Sequence, residues 1–297
     1  MNKNITYCGY AAIIGQPNMG KSSLLNRILG SKISITSRKP QTTHYQILGV
    51  KTFRNIQVVY IDTPGLHPYI PKAINRYMNR IALRTLQDVD LIIFVIEPRW
   101  DERDAWVLKQ VKDIKTPIFL VINKTDQIKD CAALLTLIEK VSYLHSFKEI
   151  ISVSAKTGNR IGVLERKVNE QMPKSSFYFP SEQITNHSNQ FLAAEIIREK
   201  LIRLLGQEIP YSLAIKILIF QRKKNFFHIS AVIWVERKGQ KGIVIGKDGE
   251  QLKKVGITAR IDMERLFNQK VFLQLWVKVK SGWSDSKPLL KELGFLE

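Results

Sequence analysis

Residues 15–22 read Gly15-Gln16-Pro17-Asn18-Met19-Gly20-Lys21-Ser22, and Ser23 follows them. The stretch fits the pattern G-x-x-x-x-G-K-S, a loop whose backbone N–H groups surround the α- and β-phosphates of a nucleotide. An apolar run before it predicts a buried strand, and the residues after it predict a helix whose N-terminus points at the phosphates. The stretch therefore predicts the strand, loop and helix with which a P-loop α/β domain begins.

Three further motifs follow in the order that a guanine-nucleotide switch requires. They are Asp62-Thr63-Pro64-Gly65, Asn123-Lys124-Thr125-Asp126 and Ser154-Ala155-Lys156. A carboxylate at Asp126 can accept hydrogen bonds from both N1–H and the exocyclic N2–H of guanine, whereas ATP would leave it unpaired because adenine has no such donor pair. The motifs together predict GTP and GDP as ligands.

Short apolar runs alternate with helical patterns up to about residue 172. The runs predict buried parallel strands at 10–15, 55–62, 90–97, 117–123 and 149–154, and the patterns between them predict helices at 21–29, 71–86, 101–111, 131–144 and 161–171. This alternation predicts a doubly wound sheet with its ligand at the carboxyl ends of the strands, where the motifs fall. Residues 1–172 are therefore predicted to form a Ras-like P-loop GTPase domain of the α/β class.

The phosphate side of the predicted site uses the first two motifs. Lys21 is expected to reach the β- and γ-phosphates, where its charge offsets the repulsion of a nucleophile. The Ser22 hydroxyl is expected to ligate Mg²⁺, and Asp62 to hold the same ion through a water. The Gly65 N–H is placed to sense the γ-phosphate.

The base side uses the other two motifs. Asn123 is expected to brace the base-binding loop, and the Lys124 stem to pack on the face of the base. The Ala155 N–H can meet guanine O6, with Ser154 and Lys156 on either side of it.

A threonine is needed to close the first switch on Mg²⁺ and the γ-phosphate. Thr42 and Thr43 are the candidates, because they lie between the P-loop helix and the strand that leads to Asp62. Spacing alone does not separate them. We favour Thr43 as the metal ligand, and we expect Lys21, Thr43 and Gly65 to be the catalytic residues.

The sequence departs from Ras-like GTPases directly after the second motif. Leu66 stands where a glutamine would orient the attacking water, and an apolar side chain cannot do so. His67 comes one place later and is interpreted as a surface residue of the switch loop. We therefore expect slow intrinsic hydrolysis. Asn18 is either a hydrogen-bonded loop residue or a group that helps to hold K⁺ against the phosphates, and both interpretations stay open.

The rest of the chain follows another pattern. Residues 173–190 are predicted to be a linker, and residues 191–297 follow an α-β-β-α-α-β order. The predicted elements are an amphipathic helix with Glu, Arg and Lys on its polar face at 191–205, strands at 211–221 and 226–236, a glycine-containing loop at 242–249, a helix at 250–267 and a strand at 271–279.

The segment Gly246-Lys247-Asp248-Gly249 lies between two helices of this second unit. A G-x-x-G loop in an α-β-β-α-α-β unit indicates a type II KH domain, in which the loop clamps about four unpaired nucleotides. Lys253 and Lys254 add positive charge nearby. Trp276 is either a platform for a base or packed against the segment around Trp283, and we favour the packing.

The composition limits the kinds of binding partner and the cellular compartment that we expect. The net charge of +20 favours a polyanion, either nucleic acid or an anionic membrane face. The only cysteines, Cys8 and Cys131, form neither a metal-ligand cluster nor a disulfide framework, which fits a reducing cytoplasm. The longest apolar run, 91–96, is far below the roughly 20 residues of a membrane span, so we expect no transmembrane segment and only peripheral membrane contact.

The chain resembles the Era family of bacterial GTPases, which carry a C-terminal KH domain, along nearly its whole length. The resemblance rests on segments 35–43, 62–65, 195–200, 246–249 and 275–283. His44 is a departure, since Era proteins usually carry arginine after the threonine pair. The resemblance implies that the KH domain binds the single-stranded 3′ end of 16S ribosomal RNA, that GTP state governs RNA affinity, and that the protein assists assembly of the 30S ribosomal subunit. It also implies peripheral contact with the anionic inner face of the cell membrane.

Two other functions compete with a GTPase assembly factor. One is an RNA-binding scaffold or chaperone in which GTP is a structural ligand. The other is a peripheral membrane regulator whose basic surface meets anionic lipid. Because Leu66 predicts slow turnover in every case, the scaffold stays an open alternative.

Overall fold

The computed structural model describes residues 5–37, 45–68, 73–128, 130–205 and 213–283, with only the backbone of 73–77. Within these ranges the chain falls into two compact units, and the boundary along the chain lies between Asn186 and His187. Each unit has its own hydrophobic core. No helix in these ranges is long and apolar enough to cross a membrane.

The first unit is a mixed sheet with helices between its strands. Its strands are β1 (Tyr7–Ile14), β2 (Ile47–Phe53), β3 (Ile56–Asp62), β4 (Leu91–Ile96), β5 (Ile118–Ile122) and β6 (Glu149–Ser152). Its helices are α1 (Lys21–Leu29), α2 (Ala73–Thr85), α3 (Glu102–Val111), α4 (Cys131–Ser142) and α5 (Ile161–Asn169). The sheet order is β2-β3-β1-β4-β5-β6, and every neighbouring pair except β2–β3 is parallel.

Burial explains why the parallel strands could be predicted from apolar runs. Every residue of β4 and β5 is buried, because both faces of a parallel sheet are covered by helices. Phe94 and Leu120 lie at the centre of the core, which Leu66 joins from the loop after β3. The predicted α/β class and P-loop GTPase fold are confirmed.

Strand β2 is absent from the sequence-based prediction. It runs antiparallel to β3 at the edge of the sheet, and the pair Phe53 and Ile56 closes a hairpin around two turn residues. An edge strand is only partly covered: in β2 the side chains of Leu48, Lys51 and Thr52 are half-buried and Phe53 is exposed, and the strand has no long apolar run. The sequence therefore offers no continuous apolar run from which a buried strand would be predicted there.

The predicted linker, 173–190, begins with residues that are fixed to the first unit. The buried Gln57 side chain accepts hydrogen bonds from the Tyr178 and Phe179 N–H groups at 2.9 and 3.0 Å, and donates to the Phe179 carbonyl at 2.8 Å. Tyr178 stacks on Tyr10 with ring centroids 5.2 Å apart. Further on, the Ile184 carbonyl accepts from the Val50 N–H at 2.7 Å. The domain limits at 172 and 191 stay a prediction.

The second unit is a three-stranded sheet with helices on one face. Its elements are α6 (Asn189–Leu204), β7 (Leu213–Arg222), β8 (Phe226–Val235), α7 (Lys238–Ile245), α8 (Glu250–Phe267) and β9 (Lys270–Val279). The sheet order is β7-β8-β9, with β7–β8 antiparallel and β8–β9 parallel. All three helices contribute to one core with alternate residues of the strands. The α-β-β-α-α-β order and the KH fold are confirmed.

Two details of this unit differ from the prediction. The supposed loop 242–249 is helical as far as Ile245, because the buried Val244 anchors α7 and the Gln240 side chain accepts from the N–H groups of Glu236 and Arg237 at its start. Only 246–249 forms the loop.

The polar face of α6 is the second difference, since it is buried rather than solvated. Glu195 is 5% exposed, Arg198 3% and Glu199 0%. Burial is tolerated because Arg198 donates to both carboxylate oxygens of Glu195 at 2.7 Å, and Glu199 accepts from Arg203 at 2.8 Å.

Candidate guanine-nucleotide site and RNA-binding loop

The nucleotide motifs meet at one edge of the first sheet. Residues 15–22 join β1 to α1, Asp62 ends β3, and residues 123–126 and 154–156 follow β5 and β6. Because these strands are parallel, their carboxyl ends lie side by side. Thr42, Thr43 and His44 lie outside the described residues.

The P-loop requires glycine where the chain turns against its neighbours. Gly15 has φ 141°, and a Cβ there would lie 2.3 Å from the Val95 carbonyl oxygen. Gly20 has φ 90°, and a Cβ there would lie 2.4 Å from Asn123 Nδ2. Both positions therefore exclude any larger residue, which leaves the backbone close to where phosphates would lie.

Lys21 is buried at the start of α1. Its Nζ donates to the carbonyls of Gly15 and Gln16 at 3.1 and 2.7 Å, so the ammonium group lies within the loop. Burial lowers the pKa of Lys21 to about 8, although the nearby Asp62 opposes this shift. Phosphate charge placed in the loop would favour the ammonium form.

Asp62 has the environment of a ligand to a hard cation. Its Oδ2 accepts from the hydroxyls of Ser22 at 2.6 Å and Ser34 at 2.8 Å. Its Oδ1 is buried and has no hydrogen-bond partner among the described residues. Burial raises the pKa of Asp62, and Ser22, Lys21 and Ser34 only partly offset this effect. A carboxylate oxygen and a hydroxyl beside it fit Mg²⁺, which prefers oxygen ligands.

Asn123 connects three of the motifs. Its Nδ2 donates to the Met19 carbonyl at 2.9 Å, and its Oδ1 accepts from the Ala155 N–H at 3.0 Å. Lys124 has φ 63° and donates to the Asn18 carbonyl at 2.6 Å and to Glu97. The bracing expected of Asn123 is thus visible, whereas the Ala155 N–H already has a partner within the protein.

Asp126 is held ready to accept hydrogen bonds. Its Oδ1 accepts from the Ser154 hydroxyl at 2.6 Å, and the Lys156 ammonium lies 3.7 Å from Oδ2. The Ser154 hydrogen bond is the main cause that lowers the pKa of Asp126, with Lys156 contributing less. The carboxylate is therefore ionised at neutral pH, as recognition of guanine N1–H and N2–H requires.

The structure adds contacts that no motif indicated, made by Arg27, which lies outside the motifs, and by the motif residue Gln16. Arg27 of α1 donates from Nε to the Ala155 carbonyl at 2.8 Å and so holds the loop 154–156. Gln16 donates from Nε2 to Asp101 at 2.8 Å and to Asp104 at 2.5 Å, which ties the P-loop to the start of α3. The only signal in the sequence was an acidic pair placed to cap a helix.

The loop after Asp62 is anchored at several points. Thr63 donates from Oγ1 to the Ile13 carbonyl at 2.8 Å, and the Leu66 N–H donates to the Gly15 carbonyl at 3.1 Å. Leu66 is fully buried, so its side chain does not face a nucleotide. The Asn79 side chain donates to the His67 carbonyl at 2.8 Å and accepts from its N–H at 3.3 Å.

In the second unit, the loop 246–249 joins α7 to α8. Gly246, Asp248 and Gly249 have φ of 76°, 52° and 76°, so the chain makes a sharp turn. A Cβ on Gly246 would lie 2.4 Å from Gln251 Cγ, which leaves no room for a side chain. Lys247 is exposed, and so are Lys253 and Lys254 on the first turns of α8. A bare backbone flanked by cations suits a phosphate backbone.

Two family models match the chain: one described as a 50S ribosome-binding GTPase over residues 10–124, and one described as a KH domain over residues 208–284. The protein named GTPase Era from Coxiella burnetii (strain Dugway 5J108-111) is 67% identical, over 98% of this chain and 99% of that protein. The chain belongs to the Era family of GTPases. The GTPase Era of Pseudomonas aeruginosa (strain LESB58) is 50% identical over 97% of this chain and 95% of that protein.

Solved Era structures agree with this fold over both units. A variant of Aquifex aeolicus Era bound to GDP and AlF4⁻ is 36% identical and superimposes with a TM-score of 0.94, covering 98% of this chain and 100% of that one. An Era in complex with MgGDPNP and nucleotides 1506–1542 of 16S ribosomal RNA gives a TM-score of 0.93 at 36% identity, with the same coverage.

The last Era-like segment, 275–283, contains two tryptophans in opposite environments. Trp283 is 1% exposed and belongs to the interior, whereas Trp276 is 55% exposed. The favoured packing of Trp276 against the Trp283 segment stays a prediction, and it would cover only part of the Trp276 ring. The register pairs Trp276 with Val232 on the face of the sheet opposite the core that α6, α7 and α8 share.

Proposed function

We propose that this Era-family protein is a GTP-hydrolysing switch that binds the 3′ end of 16S ribosomal RNA through its KH domain and assists assembly of the 30S subunit. The observation that carries the proposal is the match, over 98% of the chain, to an Era held with both MgGDPNP and the 3′ segment of that RNA. The exposed lysines around loop 246–249 fit the RNA half of this activity.

The residues of the nucleotide site divide the work between charge and position. Lys21 neutralises the β- and γ-phosphates, and Asp126 holds the guanine in one orientation. Ser22, Asp62 and Thr43 hold Mg²⁺, which when bound supplies positive charge to the transferred phosphoryl group. The Gly65 N–H donates to the γ-phosphate, so that loss of this group releases the loop after Asp62.

Hydrolysis is slow because the apolar side chain of Leu66 cannot orient the attacking water. The burial of Leu66 supports this proposal. Asn18, whose φ of 67° places it on the tight turn of the P-loop, helps to hold a K⁺ ion that takes the place of an arginine finger. Turnover in KCl that exceeds turnover in NaCl, and loses the difference in Asn18→Ala, would support the K⁺ site; equal turnover in both salts would contradict it.

GTP turnover in KCl, with and without a short RNA of the 16S 3′ end, tests the switch. The protein is compared with a Gly246→Asp/Lys247→Asp variant and with a matched control, Lys238→Asp/Gly239→Asp, which makes the same charge change at the far end of α7. Stimulation by RNA in the parent and the control but not in the loop variant is expected. Tight RNA binding with unchanged turnover would favour a scaffold that holds GTP as a structural ligand.

The net charge of +20 also supports peripheral contact with the anionic inner face of the cell membrane, as an addition to the RNA function. Flotation with vesicles of anionic lipid tests this contact. Binding that survives competition by the 3′-end RNA would support a separate membrane surface. Binding that RNA abolishes, or none in 0.15 M salt, would contradict one.

A further inference from the structure

The side chain of Gln16, the second residue of the P-loop, is held between two carboxylates at the start of α3. Gln16 is 3% exposed, and its Nε2 donates to Asp101 Oδ1 at 2.8 Å and to Asp104 Oδ1 at 2.5 Å. Both hydrogens of the amide nitrogen therefore have acceptors outside the loop. Neither aspartate belongs to the four nucleotide motifs.

Asp104 uses both of its carboxylate oxygens as acceptors. Its Oδ1 accepts from Gln16, and its Oδ2 accepts from the Asp101 N–H at 3.2 Å. A capping box alone can be completed by a neutral glutamine in the position of Asp104. A neutral amide has only one acceptor oxygen, so it would turn an N–H towards either Gln16 or the Asp101 N–H. The contact with Gln16 therefore requires a carboxylate, which the helix cap does not.

The same glutamine holds the ammonium group of Lys21. The Gln16 carbonyl accepts from Lys21 Nζ at 2.7 Å, and the Gly15 carbonyl accepts from it at 3.1 Å. At the other end of the contact, α3 is fixed to the sheet because Val107 and Leu108 belong to the core of the first unit. The contact between Gln16 and the two aspartates therefore joins the core, through α3, to the carbonyl that orients Lys21.

Burial makes Asp104 a costly residue. Its side chain is among the buried polar groups, with the residue 2% exposed, and burial raises its pKa to about 6 against the hydrogen bonds from Asp101 and Gln16. The charged groups that face it are Asp101, which opposes its ionisation, and Arg99, which favours it. A buried carboxylate that the cap does not require indicates a role in the neighbouring site.

We propose that Asp104, together with Asp101, is a positioning residue for the nucleotide site. The two carboxylates fix the Gln16 side chain, and through it the P-loop carbonyl that holds Lys21. Neither aspartate contacts the nucleotide itself. This inference rests on the nucleotide half of the proposed function, deepens it, and is independent of RNA.

GTP turnover and GDP affinity at pH 7.5 with Mg²⁺ test the proposal in three variants: Gln16→Met, which keeps the length of the side chain without its donors, Asp104→Asn, and the double variant. In each single variant we expect the KM for GTP and the Kd for GDP to rise about 10-fold, the effect of a lost hydrogen bond to a charged group. The kcat should stay within about threefold of the parent, because bound phosphates hold Lys21 once the nucleotide is in place.

The double variant shows whether Asp104 acts through Gln16. Because both single variants remove the same contact, the double variant should lose about as much affinity as either of them. Glu102→Gln is the matched control, since it removes an exposed carboxylate from the same turn of α3 and should change both constants by less than about twofold.

The outcomes separate a positioning role from a structural one. Unchanged KM and Kd in Gln16→Met overturn the proposal, even where Asp104→Asn fails to fold. A lower kcat with unchanged KM, matched by a smaller folded fraction in differential scanning fluorimetry, also overturns it. Losses that multiply in the double variant show that Asp104 does not act through Gln16. A parent that binds GDP without hydrolysing GTP contradicts the proposed turnover, and the GDP titrations still decide the positioning role.

Discussion

At the scale of single residues, Asp62 shows how a ligand is implied by a protein alone. One carboxylate oxygen has two hydroxyl donors, and the other is buried with none among the described residues. A buried charge with an unused acceptor is costly unless a cation completes it. The pKa of this group is raised, so its contribution to stability falls as pH rises above the ordinary range of aspartate.

Replacement of Asp62 by Asn should therefore separate stability from catalysis. We expect the nucleotide-free variant to melt no lower than the parent at pH 7, because the buried charge is gone. Turnover of MgGTP should fall by about 100-fold or more, because a metal ligand is gone. Differential scanning fluorimetry and phosphate release measure the two effects, and a variant with full turnover would disprove the metal role.

Asp104 gives the first unit a defined pH dependence. Burial raises its pKa to about 6, against the hydrogen bonds from Asp101 N–H and Gln16. Between pH 4 and 6 the folded state thus holds a proton that the unfolded chain releases, so stability should fall as pH rises through this window. Asp104→Asn should remove up to about 3 kcal/mol of this change. Urea unfolding at pH 4.5 and pH 7 measures this change. An equal change in the free energy of unfolding between the two pH values in the parent and the variant would refute the prediction.

The motif residues could be placed from the sequence because each motif is a local run with one purpose. The contacts of Gln16, Arg27 and Ser34 could not be predicted, because their partners are distant along the chain: Asp104, Ala155 and Asp62. Such contacts arise only when the strands are brought together.

At the scale of elements, helix α6 depends on paired charges in place of apolar packing alone. Glu195→Ala would leave the Arg198 guanidinium buried without its bidentate partner, and we expect about 3–5 kcal/mol of destabilisation. Arg265→Ala, which removes an exposed ion pair with Asp262, is the control and should cost less than about 1 kcal/mol. Urea unfolding of the full chain measures both, and similar costs would show that burial does not matter.

Gln57 anchors the connecting segment, residues 173–186, which leads from the first unit towards the second. Gln57→Ala leaves the Tyr178 and Phe179 N–H groups without their acceptor, and we expect about 1–3 kcal/mol of destabilisation and faster proteolysis within 173–186. Gln183→Ala, which removes one hydrogen bond to the Thr185 carbonyl, is the comparison. Cleavage at equal rates in both variants would show that Gln57 does not hold the segment.

Helix α6 and strand β2 show where sequence patterns stop being informative. A helical period predicted α6 well, but it cannot distinguish a solvated charged face from a buried set of ion pairs. Strand β2 was missed because Gly49, Lys51 and Thr52 interrupt its apolar residues, so that they form no continuous run. The parallel strands, which are covered on both faces, had no such ambiguity.

At the scale of the whole molecule, the net charge of +20 should control RNA affinity. Single strands release counterions in proportion to the phosphates neutralised, so a clamp on about four nucleotides predicts a slope near −3 for log affinity against log salt concentration. A twelve-nucleotide RNA should give a steeper slope. Fluorescence anisotropy from 50 to 300 mM KCl measures both slopes, and slopes near zero would exclude an electrostatic basis for binding.

The connecting segment has a consequence for the behaviour of the protein at high concentration. Strand β2 lies at an edge of its sheet, and exposed edges pair readily with other chains. Here the Ile184 carbonyl accepts the outward Val50 N–H, and the Thr185 hydroxyl donates to the Leu48 carbonyl. The residues that lead from one unit to the next therefore also protect the first sheet from aggregation through β2. Proteolytic cleavage near Ile184 would separate the two domains and would also expose an unpaired, aggregation-prone strand edge.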